Sequence, residues 1–249
     1  MAKNIDLLPE VHYESLANLE TSYWWHLTRL NRAEYAIRKY FTAPSELNVL
    51  DYGCGTGGFL HELNKRFNFK SCLGVDASPL AVQYAKKYGD HYAVINSGDL
   101  NPVRGKDLIL IMDVMEHIKD DEGFAKSLID IMSPGAYALI MSPAFPALYS
   151  EWDKVLGHYR RYTKKSLGDV LNKSGGTVVC MEYFFSFLVL PIFLRRLLKK
   201  SYKDDNCEFP PVPPVLNRIL LFFSRLEMLV SRLIRCPAGT TIICLMKKK

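Results

Sequence analysis

The chain has 249 residues, 49% apolar and 23% charged, a globular composition that excludes disordered and collagen-like classes. Six cysteines (Cys54, Cys72, Cys180, Cys207, Cys236, Cys244) make no Cys-x-x-Cys pair, so neither a zinc site nor a disulfide framework is expected. The net charge of +6 is uneven: residues 1–182 hold 20 Lys/Arg against 22 Asp/Glu, and residues 183–249 hold 12 against 4. The first part reads as a neutral enzyme and the second as a segment that meets an anionic surface. The cysteines read as reduced thiols, and the start MAKNIDLLPE has no apolar run of the signal-peptide kind. A cytoplasmic location is expected, with access to the inner face of a membrane.

Residues 10–41 predict two helices around the aromatic cluster Tyr23, Trp24 and Trp25, the core of an N-terminal cap over residues 1–45. Strands then fit at 47–52, 71–76, 91–95, 107–112 and 136–141, with helical stretches at 57–67, 78–88 and 121–132 between them. Short apolar runs separated by helical periods predict βαβ units and a parallel sheet covered on both faces. A helix near 164–174 and a strand near 177–183 complete a core over residues 46–185. A helical insertion at 186–236, with helices at 184–200 and 215–235 hinged at Pro210-Pro211-Val212-Pro213-Pro214, precedes a last strand at 240–246 within 237–249. The whole is expected to form one domain.

The most informative stretch is Asp51-Tyr52-Gly53-Cys54-Gly55-Thr56-Gly57-Gly58, which follows a strand and opens a helix. An open α/β sheet binds ligands at that edge, and glycines let a cofactor lie against the backbone with no Cβ in the way. Two cofactors satisfy the spacing. Gly53-x-Gly55-x-x-Gly58 fits a dinucleotide, whereas Asp51-x-Gly53-x-Gly55-x-Gly57 fits S-adenosylmethionine. Asp51 favours the second, because a carboxylate attracts an ammonium and a sulfonium and repels a pyrophosphate. Asp76, at the end of the second strand, can take ribose hydroxyls in either case.

Together with the segments that follow, these residues resemble the class I S-adenosylmethionine-dependent methyltransferases over most of the chain. Leu50 to Gly57 resembles the first family motif, and Gly74-Val75-Asp76-Ala77-Ser78 the second, whose acid binds ribose. Gly98-Asp99-Leu100 resembles the turn whose acid meets the adenine amine, and Asp107 to His117, with Asp113 in it, the fourth-strand motif of small-molecule methyltransferases. Tyr23 to Arg29, carrying Trp25 and Arg29, and Ser150 to Tyr162 resemble two segments of a subgroup related to the ubiquinone-biosynthesis methyltransferases; Trp152 stands where that subgroup usually has His. The resemblance implies a seven-stranded, mostly parallel Rossmann-like sheet with a reversed last strand, and an N-terminal helix lying across the cofactor as a lid.

Of the six histidines, His117 and His158 fall in cleft positions, and His12, His26, His61 and His91 read as structural or exposed. Either His158 or His117 is expected to remove the acceptor proton, since a histidine near its free pKa of ~6.5 suits that task. Tyr159, Arg160 and Arg161 would hold an acidic or phosphorylated acceptor, small or lipid-linked, for O-methylation. No metal is expected. Two other readings stay open: a dehydrogenase using Gly53, Gly55 and Gly58, and a membrane-associated cofactor-binding protein that transfers nothing. Nucleic acid is disfavoured as a partner, because no Asn-Pro-Pro-aromatic motif follows the fourth strand.

In the insertion, Arg218, Arg225 and Arg232 recur every seven residues, each after a small polar residue (Asn217, Ser224, Ser231), and share a face with Arg235. Ile219, Phe222, Phe223, Leu226, Leu229, Val230, Leu233 and Ile234 fill the opposite half. The preceding uncharged run, Tyr183 to Leu194, has 12 residues before Arg195-Arg196, too few for the ~20 that span a bilayer. The pattern fits either a helix lying in an anionic membrane interface or a hairpin packed on the sheet or on a second subunit of a homodimer.

Overall fold

The structure, a computed structural model, describes residues 10–197, 212–234 and 236–249. Helices α1 (Glu10–Leu19) and α2 (Trp24–Tyr40) precede strand β1 (Asn48–Tyr52). Then come α3 (Gly58–Phe67), β2 (Ser71–Asp76), α4 (Pro79–Ala85), β3 (Tyr92–Val94), β4 (Leu108–Met112), α5 (Asp121–Ile131) and β5 (Tyr137–Pro143). The chain continues through α6 (Glu151–Val155), α7 (Lys164–Lys173), β6 (Gly176–Phe184), α8 (Val189–Leu197), α9 (Pro214–Val230) and β7 (Thr241–Lys248). Part of the proline run, Arg235, and the side chains of Arg195 and Arg196 lie outside the described residues.

The seven strands form one sheet in the order β3-β2-β1-β4-β5-β7-β6. All neighbours are parallel except β7, which runs antiparallel to both β5 and β6, so the reversed strand is the one expected. The order in which successive strands are added reverses between the parallel neighbours β1 and β4, with Asp51 paired to Leu110, and the carboxyl ends of those two strands flank the crevice where such sheets bind ligands.

Period-two alternation divides each central strand between two cores. Val49, Leu108, Leu110, Met112, Leu139, Met141, Ile243 and Leu245 face the side covered by α2 and α3. Leu50, Ile109, Ile111, Ala138, Ile140, Ile242, Cys244 and Met246 face α5 and α7. Each such aliphatic side chain stabilises the fold by ~1.5–3 kcal/mol when fully buried, which fixes the sheet rigidly beneath the crevice.

Helix boundaries follow capping chemistry. Ser78 accepts from the Ala81 N–H with Pro79 at the first helical position, and Asp120 accepts from the Gly123 N–H. One element was not expected: α6 forms within the Ser150–Tyr162 segment. Ser150 and Asp153 make a reciprocal capping box there, a signal hidden by the shortness of the helix.

The insertion departs from a simple packed hairpin. The small polar stripe of α9 turns inward: Asn217 Oδ1 accepts from the Trp24 N–H at 2.8 Å, Ser231 Oγ accepts from Arg32 at 2.8 Å, and Ser224 is buried. The guanidinium of Arg232 lies 4.9 Å over the Tyr35 ring. With the stripe facing α2, the apolar half points away from the body: Phe222 is 62% exposed and Leu233 88%, alongside exposed Ile219, Phe223, Leu226, Leu229 and Val230. Leu190, Phe193 and Leu194 of α8 are exposed as well. Among the described residues no helix is long and apolar enough to cross a membrane.

Candidate active site

After β1 the chain must turn sharply to enter α3, and Gly53 makes the turn with φ +77°. Any side chain there would be strained, and a Cβ would also lie 2.5 Å from Val114. The turn, together with the ends of β2 and β4 and helices α1 and α2, encloses a cavity of about 500 Å³. Asp51, Gly53, Gly55, Asp76 and Ala77 all line it, as expected. Gly57 does not; its carbonyl accepts from the Tyr92 hydroxyl at 2.9 Å, so its service is to packing. Gly98 reaches the cavity, but Asp99 and Leu100 stand one step behind, and Asp99 caps the Asn101 N–H at 3.0 Å.

The cavity is strongly acidic at its glycine end. Asp76 accepts from the Gly55 N–H at 2.9 Å and the Ser78 N–H at 2.8 Å, bonds that oppose the rise in its pKa caused by burial. Asp51 is 1% exposed, and burial, with the Asp76 charge, pushes its pKa up to about 7. Its Oδ1 has no hydrogen-bond partner among the described residues. A third carboxylate, Glu20, was not expected. It accepts from the Thr56 hydroxyl at 2.5 Å, the Gly58 N–H at 3.0 Å and the Tyr88 hydroxyl at 3.0 Å. Nothing in the sequence marks Glu20, because an acid in an N-terminal helical stretch reads as solvated.

Glu20 also separates the two cofactor readings. A dinucleotide would place its pyrophosphate on the free N–H groups at the start of α3. Here the Gly58 N–H already serves a carboxylate, and three acids would repel the phosphates. A cationic cofactor gains from the same charges. The orphaned oxygen of Asp51 and the open glycine backbone therefore fit S-adenosylmethionine.

The opposite wall comes from α2 and the end of β4. The guanidinium of Arg29 stacks 4.2 Å over the Trp25 ring and pairs with Asp113, and all three residues line the cavity. Asp113 adopts φ +57°, a costly conformation for a side-chain-bearing residue that its N–H bond to the Met141 carbonyl helps to hold. His26, expected to be merely structural, lines the cavity too, as do Tyr13 and Leu16 of α1, so the N-terminal helices do cover the site.

The two cleft histidines have different places. His117 lines the cavity and is exposed to it; His158 sits behind, its ring centroid 4.6 Å from that of His117 in an edge-on contact. Burial and the neighbouring His158 push the His117 pKa down to about 4, so its ring is neutral at pH 7. His158 Nδ1 lies 3.2 Å from Asp153 Oδ1. Although burial alone would raise it, the bonds from His158 and Arg161 hold the Asp153 carboxyl well below the usual range. Glu116, His117 and His158 bring one donor atom each within 4.8 Å of one another, a juxtaposition not expected from the sequence. Desolvation, with the Asp113 charge, raises the pKa of buried Glu116.

The expected anion-binding run is a correction. Arg160 pairs with Asp121 and donates to the Lys119 carbonyl at 2.5 Å, and Arg161 donates to Asp153 at 2.6 Å. Tyr159 is 55% exposed, and none of the three lines the cavity. Arg160 fastens the Ser150–Tyr162 segment to the body, and Arg161 braces that segment from within through Asp153. Leu156 and Lys119 line the cavity instead.

Fold and cavity define a class I cofactor-binding α/β protein. A family model described as a methyltransferase domain matches residues 23–181, and the chain belongs to that family. It is 30% identical over 144 residues to the mitochondrial ubiquinone biosynthesis O-methyltransferase of Schizosaccharomyces pombe, covering 49% of this chain and 50% of that one. It is 30% identical over 127 residues to norajmaline N-methyltransferase of Rauvolfia serpentina, covering 47% and 43%. The chain thus spans about half the length of these curated relatives. A SAM-dependent methyltransferase structure from Thermotoga maritima aligns at TM-score 0.57 and 18% identity over 95% of each chain. Phosphoethanolamine N-methyltransferase 2 of Haemonchus contortus, solved with S-adenosyl-L-methionine, aligns at TM-score 0.57 and 17% identity over 88% of this chain and 52% of that one. The chain therefore carries a methyltransferase domain of that family.

Proposed function

We propose that this methyltransferase acts on an oxygen of a small, lipid-linked acceptor, working as a peripheral protein at an anionic membrane surface on the cytoplasmic side. The observation that carries the reading is one cavity joining the acidic glycine turn to His117, with the root of an outward-facing apolar hairpin at the adjacent Trp24-Trp25 pair.

Asp51, Gly53, Gly55, Asp76 and Ala77 would hold S-adenosylmethionine, which when bound would supply a methyl group on its sulfonium. The ionised form of Asp51 is favoured by a cation in the cavity. Trp25 and Arg29 close the wall, and water exclusion by α1 and α2 protects the transfer. The neutral ring of His117 would accept the proton that the acceptor hydroxyl loses as its oxygen is methylated in line, with S-adenosylhomocysteine as the leaving group. His158, braced by Asp153, stands behind as the next proton acceptor. An amine acceptor, as in the norajmaline relative's name, would need the same base only if it arrives protonated.

The membrane reading is supported by the exposed apolar half of α9 with Arg218 and Arg225 along its border. The protein is taken to act as a monomer or homodimer, without nucleic acid. The test is S-adenosylhomocysteine formation with hydroxylated acceptors offered in water or tethered to an isoprenoid or acyl tail in anionic vesicles. Faster turnover on the tethered form supports the reading; equal turnover of tailless acceptors in water contradicts it.

A further inference from the structure

We propose that Glu227, on the hairpin and outside the cavity, is a positioning residue for the cofactor site, acting through Phe185, Trp25 and Arg29. The proposal rests on the cavity as the S-adenosylmethionine site and is independent of the acceptor.

The chain of contacts begins with a strained residue. Phe185, at the exit of β6, has φ +60° and ψ +41°, a left-handed conformation that a bulky side chain adopts only when its surroundings impose it. Glu227 imposes it: its two oxygens accept from the Phe185 N–H at 2.9 Å and the Ser186 N–H at 2.5 Å. The carboxylate is itself held by Arg32 of α2, whose Nη2 lies 3.6 Å away while its Nη1 donates to Ser231. Glu182, 3.9 Å from Arg32, completes a buried cluster at the α2–α9 junction.

The Phe185 ring, fully buried, lies nearly parallel to Trp25, with centroids 6.4 Å apart and planes 10° apart, and meets Trp24 edge-on at 5.3 Å. The Trp25 ring then carries the Arg29 guanidinium, which faces Asp113 in the cavity. Asp113 is left-handed as well, so each end of the chain is a backbone held off its usual minimum. Two such residues joined by packed rings and an ion pair transmit a displacement of α9 to the cofactor wall, because a close-packed interior has no slack to absorb it. A displacement of α9 on docking would thereby reach the cofactor, and cofactor binding would by linkage favour the docked hairpin.

The test is calorimetric binding of S-adenosylhomocysteine to the full chain carrying Glu227→Ala, Glu227→Gln, Phe185→Leu or Leu220→Ala. Glu227→Ala and Phe185→Leu should each weaken binding about tenfold, within the usual range of coupling between linked sites. They should also alter the change in tryptophan emission on ligand addition. Glu227→Gln, keeping one acceptor oxygen, should fall between. Leu220→Ala loosens α9 packing while leaving the Glu227 bonds to Phe185 and Ser186 in place, and should lower Tm with affinity unchanged. Should Glu227→Ala fail to fold, Phe185→Leu carries the same expectation. Unchanged affinity in a folded Glu227→Ala or Phe185→Leu protein, or an equal loss in Leu220→Ala, overturns the proposal.

Discussion

The glycine turn and the helical hairpin solve opposite problems with the same kinds of residue. At the turn, carboxylates are drawn inside: Glu20, Asp51 and Asp76 are brought together, although burial opposes the charge of Asp51 and Asp76, and a cation in the cavity favours their ionised forms. At the hairpin, the polar residues Asn217, Ser224 and Ser231 are inside beside Leu220 and Leu221, while Phe222, Phe223, Leu226 and Leu229 are outside. One region gathers buried acids around a cavity, the other leaves an apolar face exposed. Such a helix teaches that amphipathic periodicity in a sequence says which residues share a face, and only the packing says which face is buried.

The comparison breaks first at the chemistry. Replacing His117 by Ala should lower kcat by ~10²–10⁴ with little change in S-adenosylmethionine affinity, the signature of a group acting only in the chemical step. If His158→Ala shows that pattern and His117→Ala does not, the proton goes to the rear histidine. Replacing Asp76 by Ala should weaken cofactor binding more than tenfold, since a charge-assisted hydrogen bond contributes ~1.5–3 kcal/mol. Unchanged affinity by calorimetry would remove Asp76 from the site.

Asp51 sharpens the electrostatic half. Its folded pKa of about 7 lies above the unfolded value of 3.8, so the apo protein binds the extra proton and is stabilised below that range. That contribution is lost as pH rises from about 4 to about 7. Apo Tm should therefore fall across this window, and cofactor affinity should rise as the carboxylate ionises. In Asp51→Asn both trends should flatten; identical pH profiles in the two proteins would contradict the assignment. The smallest effect belongs to the hairpin, where Arg225→Gln should weaken partitioning onto anionic vesicles by roughly fivefold, ~1 kcal/mol, and less so at high salt.

Much of this was legible in sequence because local rules and tertiary demands agree. Val49 through Tyr52 reads as a buried strand from its own pattern, and the glycines after it have few other uses. Asp51 and Asp76 declared their charge and their strand ends. Glu20, Phe185 and Glu227 were not legible: each owes its role to a partner between 36 and 42 residues distant, which no local pattern encodes. Arg160 and Arg161 misled in turn. Two arginines beside a histidine suggest an anion site, but Asp121 comes from α5 to neutralise Arg160, and Asp153, eight residues upstream in the same segment, neutralises Arg161 once α6 forms.

In the proposed function, the exposed face of the hairpin rests on anionic lipid beside the cavity. Flotation of the whole protein with phosphatidylglycerol-containing and purely zwitterionic vesicles, beside an Arg218→Glu/Arg225→Glu variant, reads this out. The unaltered protein should float with anionic vesicles alone, and less as salt rises. The variant should stay at the bottom with its Tm and S-adenosylhomocysteine affinity intact. An unaltered protein that floats with neither vesicle and sediments as a dimer buried through α9 would contradict this reading.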